Sequence, residues 1–212
     1  DGNEQFATMD AFAAFLDAAR AEPALADFWN RVLWIEQPVR RDAALDPSCA
    51  AALGRVSAFR PVILDESDGE EDALERGLAL GYAGVSSKTC KGLFRSLSHK
   101  ARLRGVPGAI LSCEDLTTVP AHPLQQDLCL AAALGLSNAE RNGHHYIMPS
   151  GFLSPVEQRG LLEEYPSLYS ADASGSLRVR IADGGFDLSE ANAARAFGVS
   201  VDPDWDALER IT

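Results

Sequence analysis

Three acidic residues, Asp1, Glu36 and Asp65, stand where successive parallel strands are predicted to end. They are 35 and 29 residues apart, and each interval is about the length of one strand-plus-helix unit. In a parallel barrel, successive strand ends lie side by side at one rim. Three carboxylates gathered there repel one another unless a cation lies between them. Because all the ligand atoms are oxygens, Mg²⁺ is the ion that we expect.

A lysine ends the next predicted strand. Lys88 comes 23 residues after Asp65, and an amine beside a divalent cation in a partly closed site is a candidate general base. The ion neutralises charge that develops on an enediolate while the base takes the proton. The spacing therefore predicts metal-assisted removal of a proton next to a carboxylate. Lys91 remains an alternative base, because a shift in strand register would place Lys91 at the site where we expect Lys88.

The elements that must position these residues follow from the alternation of apolar runs with amphipathic stretches. We predict buried strands at residues 32–36, 61–65, 83–88 and 108–113. Nearly continuous apolar strands separated by helices are typical of parallel sheets that are covered on both faces. The fold class that we predict is α/β.

Helices are predicted between these strands from capping residues and apolar periodicity. Thr8 begins the first helix, and Ser67 or Asp68 begins the third, which ends at Gly81. His99 falls in the fourth helix beside basic residues, and we expect it on a solvated face.

Four short motifs resemble the C-terminal part of an enolase-superfamily protein of the mandelate racemase/muconate lactonizing enzyme type. They are Asp-Gly-Asn-Glu-Gln-Phe at residues 1–6, Trp-Ile-Glu-Gln-Pro at 34–38, Ile-Leu-Asp-Glu-Ser at 63–67 and Gly-Val-Ser-Ser-Lys-Thr at 84–89. In that family they would correspond to the third to sixth strands of a TIM-type (β/α) barrel. The resemblance implies that residues 1–150 form barrel strands of about the third to the eighth, and that residues 151–212 pack on the barrel or return toward a capping domain.

The resemblance also implies roles for individual residues. Asp1, Glu36 and Asp65 would hold Mg²⁺, and Lys88 would be the catalytic acid/base. The activity would be that of a racemase or epimerase, a dehydratase or a cycloisomerase acting on a small carboxylate such as an acid sugar.

Two further residues are candidates for contact with substrate. Glu114 would lie at the end of the seventh strand, where it lines the pocket or, as the alternative, binds the flanking lysine. His144 and His145 would lie at the end of the eighth. Because neighbouring residues on a strand face opposite sides, only one of the two histidines reaches the site. We take His145 as the candidate, with a turn or packing role as the alternative.

The sequence departs from the family pattern in two respects. The capping domain and a Lys-x-Lys strand would both lie upstream of Asp1, so we expect the chain to be a fragment of a larger structure. Thr-Cys-Lys-Gly at residues 89–92 replaces the usual glycine pair after the lysine. Two alternatives therefore remain: an enolase-like metal-binding protein without turnover, and an unrelated α/β barrel whose strand-end acids are incidental.

Composition narrows the class of partner. The 212 residues carry 19 basic and 31 acidic side chains, for a formal net charge of −12. Such a surface disfavours nucleic acid and anionic membranes. The four cysteines form no Cys-x-x-Cys pair, which favours a reducing, cytoplasmic location over a disulfide framework. We expect a small carboxylate substrate and a homo-oligomer.

Overall fold

The computed structural model describes residues 1–114, 122–140, 151–194 and 198–207. The chain divides into two compact units, each with its own hydrophobic core. The first, called here the sheet unit, comprises Asp1–Ser87 and Phe94–Ser112. The second, called here the tail unit, comprises Lys88–Leu93 and Cys113–Thr212. The domain boundary that we expect near residue 150 stays a prediction.

Among the described residues, a parallel four-stranded sheet runs through the sheet unit in the order of the chain. Its strands are β1 (Ile35–Glu36), β2 (Val62–Leu64), β3 (Gly84–Ser87) and β4 (Ile110–Cys113). Parallel neighbours require a crossover between them, and helices supply it here. The predicted α/β class is confirmed. Each of the four predicted strands forms, and each is shorter than predicted.

Six helices precede β4 in the chain. They are α1 (Met9–Ala21), α2 (Ala26–Arg31), α3 (Arg41–Ala44), α4 (Ala50–Ser57), α5 (Ala73–Leu80) and α6 (Leu93–Leu103), with short 3₁₀ helices at Pro23–Leu25, Pro47–Cys49 and Thr89–Lys91. The Thr8 hydroxyl accepts a hydrogen bond from the Ala11 N–H at 3.2 Å and caps α1 as predicted. Gly81 ends α5 as predicted, because its φ of 110° favours glycine. However, α5 begins at Ala73, later than expected, since residues 66–72 form a loop.

The core of the sheet unit holds the strands in place. Leu16 of α1 and Leu53 of α4 are almost wholly buried in one hydrophobic cluster with Leu64 of β2. Each such leucine contributes about 1.5–3 kcal/mol relative to an exposed position. The residues that end these strands are therefore attached to a rigid framework.

The tail unit combines helices with a small hairpin. Its elements are α7 (His122–Ala133), α8 (Pro155–Glu164), β5 (Tyr169–Ala171), β6 (Leu177–Val179), α9 (Ser189–Ala193) and a 3₁₀ helix at Trp205–Ala207. The antiparallel pairing of β5 with β6 is not among the elements predicted from the sequence. The strand expected near residues 142–146 lies outside the described residues.

No helix in the described part of the chain combines the length and the apolar character needed to cross a membrane.

Candidate functional site

Two carboxylates lie close together at the carboxyl ends of neighbouring strands. Glu36 is the last residue of β1, and Asp65 directly follows β2. Only 3% of Glu36 and 2% of Asp65 is exposed, and carboxylate oxygens of the two lie within 4.8 Å of each other. Their proximity follows from the parallel register, in which Glu36 is paired with Ile63. Like charges this close and this buried favour a shared cation.

The distance between these carboxylates fits a common ion. Protein oxygens bind Mg²⁺ at about 2.0–2.1 Å and Ca²⁺ at about 2.3–2.6 Å, so two ligands of one ion are at most about 4.2 Å apart for Mg²⁺ and about 5.2 Å apart for Ca²⁺. The Glu36 and Asp65 oxygens, within 4.8 Å of each other, meet the limit for Ca²⁺, and binding Mg²⁺ requires them to lie within the shorter limit. Their burial also removes the competing water that weakens exposed carboxylate sites.

Asp1 lies at the same edge, but its carboxylate is engaged elsewhere. The Gly2 N–H donates to the Glu36 carbonyl at 2.7 Å, so the chain at Asp1 runs beside the end of β1. Asp1 is exposed, and its carboxylate accepts hydrogen bonds from the backbone N–H and the side-chain amide of Asn3. The structure therefore brings Glu36 and Asp65 together and leaves Asp1 outside the pair.

An ion pair anchors this first segment. The Arg41 guanidinium donates to the Glu4 carboxylate at 2.9 and 2.6 Å, and the Arg41 N–H donates to it at 2.7 Å. These hydrogen bonds hold the pKa of the Glu4 carboxyl below its ordinary value. Further along, Phe6 forms a parallel bridge with Val39. Residues 2–6 thus occupy the place of a preceding strand beside β1.

Gln37 connects the end of β1 to the loop after β2. Its side chain is fully buried, and its Oε1 accepts from the Asp65 N–H at 2.8 Å and the Ser67 N–H at 3.2 Å. Its Nε2 donates to the Val39 carbonyl at 2.9 Å and the Ser67 hydroxyl at 2.7 Å. Although Gln37 belongs to one of the motifs quoted above, its residue type alone does not predict this role.

Helix α6 holds the rest of that loop. The Arg95 guanidinium donates to the carbonyls of Asp68, Gly69 and Glu70 and to the Asp68 carboxylate. His99 Nε2 lies 3.3 Å from the same carboxylate. The expectation that His99 faces solvent is wrong, because its side chain is buried against Asp68. The basic neighbours in sequence misled that prediction, since they lie on other faces of the helix.

Lys88 and Glu114 form an ion pair within the tail unit. Lys88 directly follows β3, Glu114 directly follows β4, and both are buried. The rival Lys91 ends the 3₁₀ helix Thr89–Lys91 and is half-buried. Glu114 has Lys88 as a partner, and its predicted contact with substrate stays a prediction.

His144 and His145 lie outside the described residues, so the substrate role of His145 stays a prediction.

A cavity of about 450 Å³ adjoins the loop after Asp65. Glu66, Ser67, Arg41 and Arg76 contribute to its wall, and its volume suits a small molecule. Arg41 is ion-paired with Glu4, and Arg76 is ion-paired with Glu70 and Asp72. Both arginine charges are therefore balanced within the protein.

Comparisons with known proteins add no relative. No protein-family model matches the chain, and neither a curated protein nor a solved structure matches it.

Proposed function

We propose that this protein binds a divalent cation, Mg²⁺, through Glu36 and Asp65 and removes a proton next to the carboxyl group of a small carboxylate. One observation carries the proposal: the two carboxylates, almost wholly buried, end neighbouring parallel strands with oxygens within 4.8 Å. The family resemblance of the motifs at residues 1–6, 34–38, 63–67 and 84–89 supplies the reaction class.

The topology supports a wider proposal about the fold. The strands are adjacent in chain order, as in a (β/α) barrel, whereas a doubly wound sheet reverses its order part-way. Residues 2–6 extend that order on the side of β1, where a preceding strand would lie. We therefore propose that the sheet is part of a TIM-type barrel.

The chain's own residues would divide the work as follows. Glu36 and Asp65 hold the cation, and Asp1 completes the set if its carboxylate leaves Asn3. The bound cation would supply positive charge to the substrate carboxylate as the α-proton leaves. Lys88, which directly follows β3, is the proposed acid/base that takes the α-proton.

A second function is favoured by the ion pair of Lys88 with Glu114. A lysine that keeps its proton and its partner does not act as a base. The second candidate is therefore an enolase-like protein that binds the cation without turning over a carboxylate.

Metal binding is the first experiment. Titration calorimetry with Mg²⁺ should show binding by the wild type and its loss in Asp65→Asn. The matched control is Asp10→Asn, an exposed acid at the start of α1 that should leave affinity unchanged. Absence of binding by the wild type would reject both candidate functions.

Proton exchange is the second experiment. The protein is incubated with a library of small carboxylates in D₂O, with and without Mg²⁺, and NMR follows exchange of the α-proton. We expect exchange that needs the ion, is abolished in Lys88→Ala and persists in Lys100→Ala, an exposed control. Loss in Lys91→Ala with retention in Lys88→Ala would move the base to Lys91. Metal binding without exchange would favour the second function.

A further inference from the structure

We propose that Gln37 is a positioning residue that fixes the Asp65 carboxylate beside Glu36. The inference rests on the proposed cation site and adds a residue that contacts neither ion nor substrate. It concerns the sheet unit alone, because all the groups involved belong to that unit.

The geometry of Gln37 suits a clamp between two strand ends. Its carbonyl oxygen accepts the backbone N–H of Asp65 at 2.8 Å, at the residue whose carboxylate would bind the cation. The same oxygen accepts the Ser67 N–H at 3.2 Å, so the first turn of the loop is held on both sides of Glu66. These bonds set the backbone at Asp65 from a residue adjacent to Glu36. They therefore fix the positions of the two proposed ligands, Glu36 and Asp65, relative to each other.

The amide end of Gln37 fixes the clamp itself. Its Nε2 donates to the Val39 carbonyl at 2.9 Å and to the Ser67 hydroxyl at 2.7 Å. These two donor contacts and the two acceptor contacts at Oε1 are all made to protein groups in a fully buried position. A buried amide satisfied in this way is held in one orientation.

The backbone at Gln37 indicates that this orientation is imposed. Its φ is 31°, in the left-handed region that non-glycine residues seldom adopt. Such a conformation persists only where surrounding contacts over-determine it. With this backbone conformation, the Gln37 side chain contacts Asp65 directly after β2, while its neighbour Glu36 carries the carboxylate of the proposed site.

The test combines a metal probe with amide exchange. Mn²⁺ shares the preference of Mg²⁺ for oxygen ligands, and its free concentration is measured by electron paramagnetic resonance. We expect Gln37→Met to weaken Mn²⁺ binding about 10- to 100-fold, the range for partners that orient metal ligands. In the same variant, hydrogen exchange at the Asp65 and Ser67 amides should accelerate at least about tenfold, because their acceptor is gone.

A second buried glutamine provides the control. Gln125 is also fully buried, and it donates to the Gly198 carbonyl at 2.6 Å and accepts from Tyr169 within the tail unit. Gln125→Met should leave Mn²⁺ affinity and both amides unchanged. Gln37→Glu keeps an acceptor for the two N–H groups, so it should retain more amide protection than Gln37→Met.

Each outcome bears on the inference. Unchanged affinity in Gln37→Met, or an equal loss in Gln125→Met, would overturn it while leaving the proposed function intact. If the wild type binds no Mn²⁺, the proposed function fails, and amide exchange alone then decides whether Gln37 positions Asp65. Should Gln37→Met not fold, the wild-type protein still decides: Asp65 and Ser67 amides that exchange as fast as exposed loop amides would refute the clamp.

Discussion

Gly84 allows β3 to lie unusually close to β4, and an added methyl group should be costly there. A Cβ at residue 84 would lie 1.8 Å from the Ile110 carbonyl oxygen, whereas real Cβ contacts essentially never fall below 3.0 Å. The strands would have to separate by at least 3.0 − 1.8 = 1.2 Å. Because the atom in the way belongs to the backbone, no side-chain rotation relieves the clash.

The size of the effect follows from the neighbouring hydrogen bond. The Ile110 N–H donates to the Ala83 carbonyl at 2.9 Å, and the same separation would stretch that distance to about 4.1 Å, beyond hydrogen-bonding range. Losing a bond between partly buried groups costs about 1–3 kcal/mol, and overpacking adds about 1–3 kcal/mol. Gly84→Ala should therefore lower the free energy of unfolding by about 2–6 kcal/mol.

Urea unfolding followed by far-ultraviolet circular dichroism measures this loss. The matched control is Gly54→Ala in α4, where an added Cβ meets no atom within 4 Å. That change should stabilise the protein by about 0.5–1 kcal/mol, since alanine has the higher helix propensity. A Gly84→Ala protein within 1 kcal/mol of the wild type would refute the close approach of β3 to β4.

Three further perturbations test individual contacts. Glu4→Gln removes the ion pair with Arg41 and should lower the thermal midpoint modestly at pH 7. Since the pKa of Glu4 is depressed in the folded state, this difference should shrink progressively as the pH falls below about 4 and through that lowered pKa, as thermal scans across pH would show. Tyr82→Phe removes a buried hydrogen bond to the Ala44 carbonyl and should cost about 1–2 kcal/mol in urea unfolding at pH 7. Burial raises the pKa of the Tyr82 hydroxyl, so the wild type alone should lose this stabilisation above about pH 10. Ser154→Ala removes the cap of α8 and should cost about 1 kcal/mol, measured by urea unfolding.

Each of these tests can fail in a distinct way. A Glu4→Gln difference that does not shrink as the pH falls below about 4 would mean that the ion pair is not its source. If Tyr82→Phe is as stable as the wild type, the hydroxyl is not bonded in the folded protein. If Ser154→Ala has the same free energy of unfolding as the wild type, the first turn of α8 is held by other contacts.

Much of the strand–helix framework could be predicted from local pattern. Apolar runs marked the four strands because buried parallel strands have few polar positions. Thr8 and Gly81 marked helix ends because capping depends on residues close in sequence. The start of α5 was misplaced, since Ser67 and Asp68 have the residue types of a helix cap but belong to the loop.

The candidate site could be predicted only in part, because spacing along the chain locates the strand ends but does not reveal side-chain contacts. Spacing by one strand–helix unit anticipated that Glu36 and Asp65 would end neighbouring strands, and the structure brings them together. Whether Asp1 belongs with them depends on its contact with Asn3, which no spacing reveals.

The amino-acid sequence was enough to establish an α/β chain with acids at the ends of its parallel strands, because hydrophobic period and strand spacing are local properties. Three-dimensional packing alone decided the clamp of Gln37 on Asp65, the burial of His99 on Asp68 and the pairing of Lys88 with Glu114. Each of these joins residues at least 26 positions apart. Such contacts arise only after strands and helices have packed, and the same residue types can face water or a partner until then.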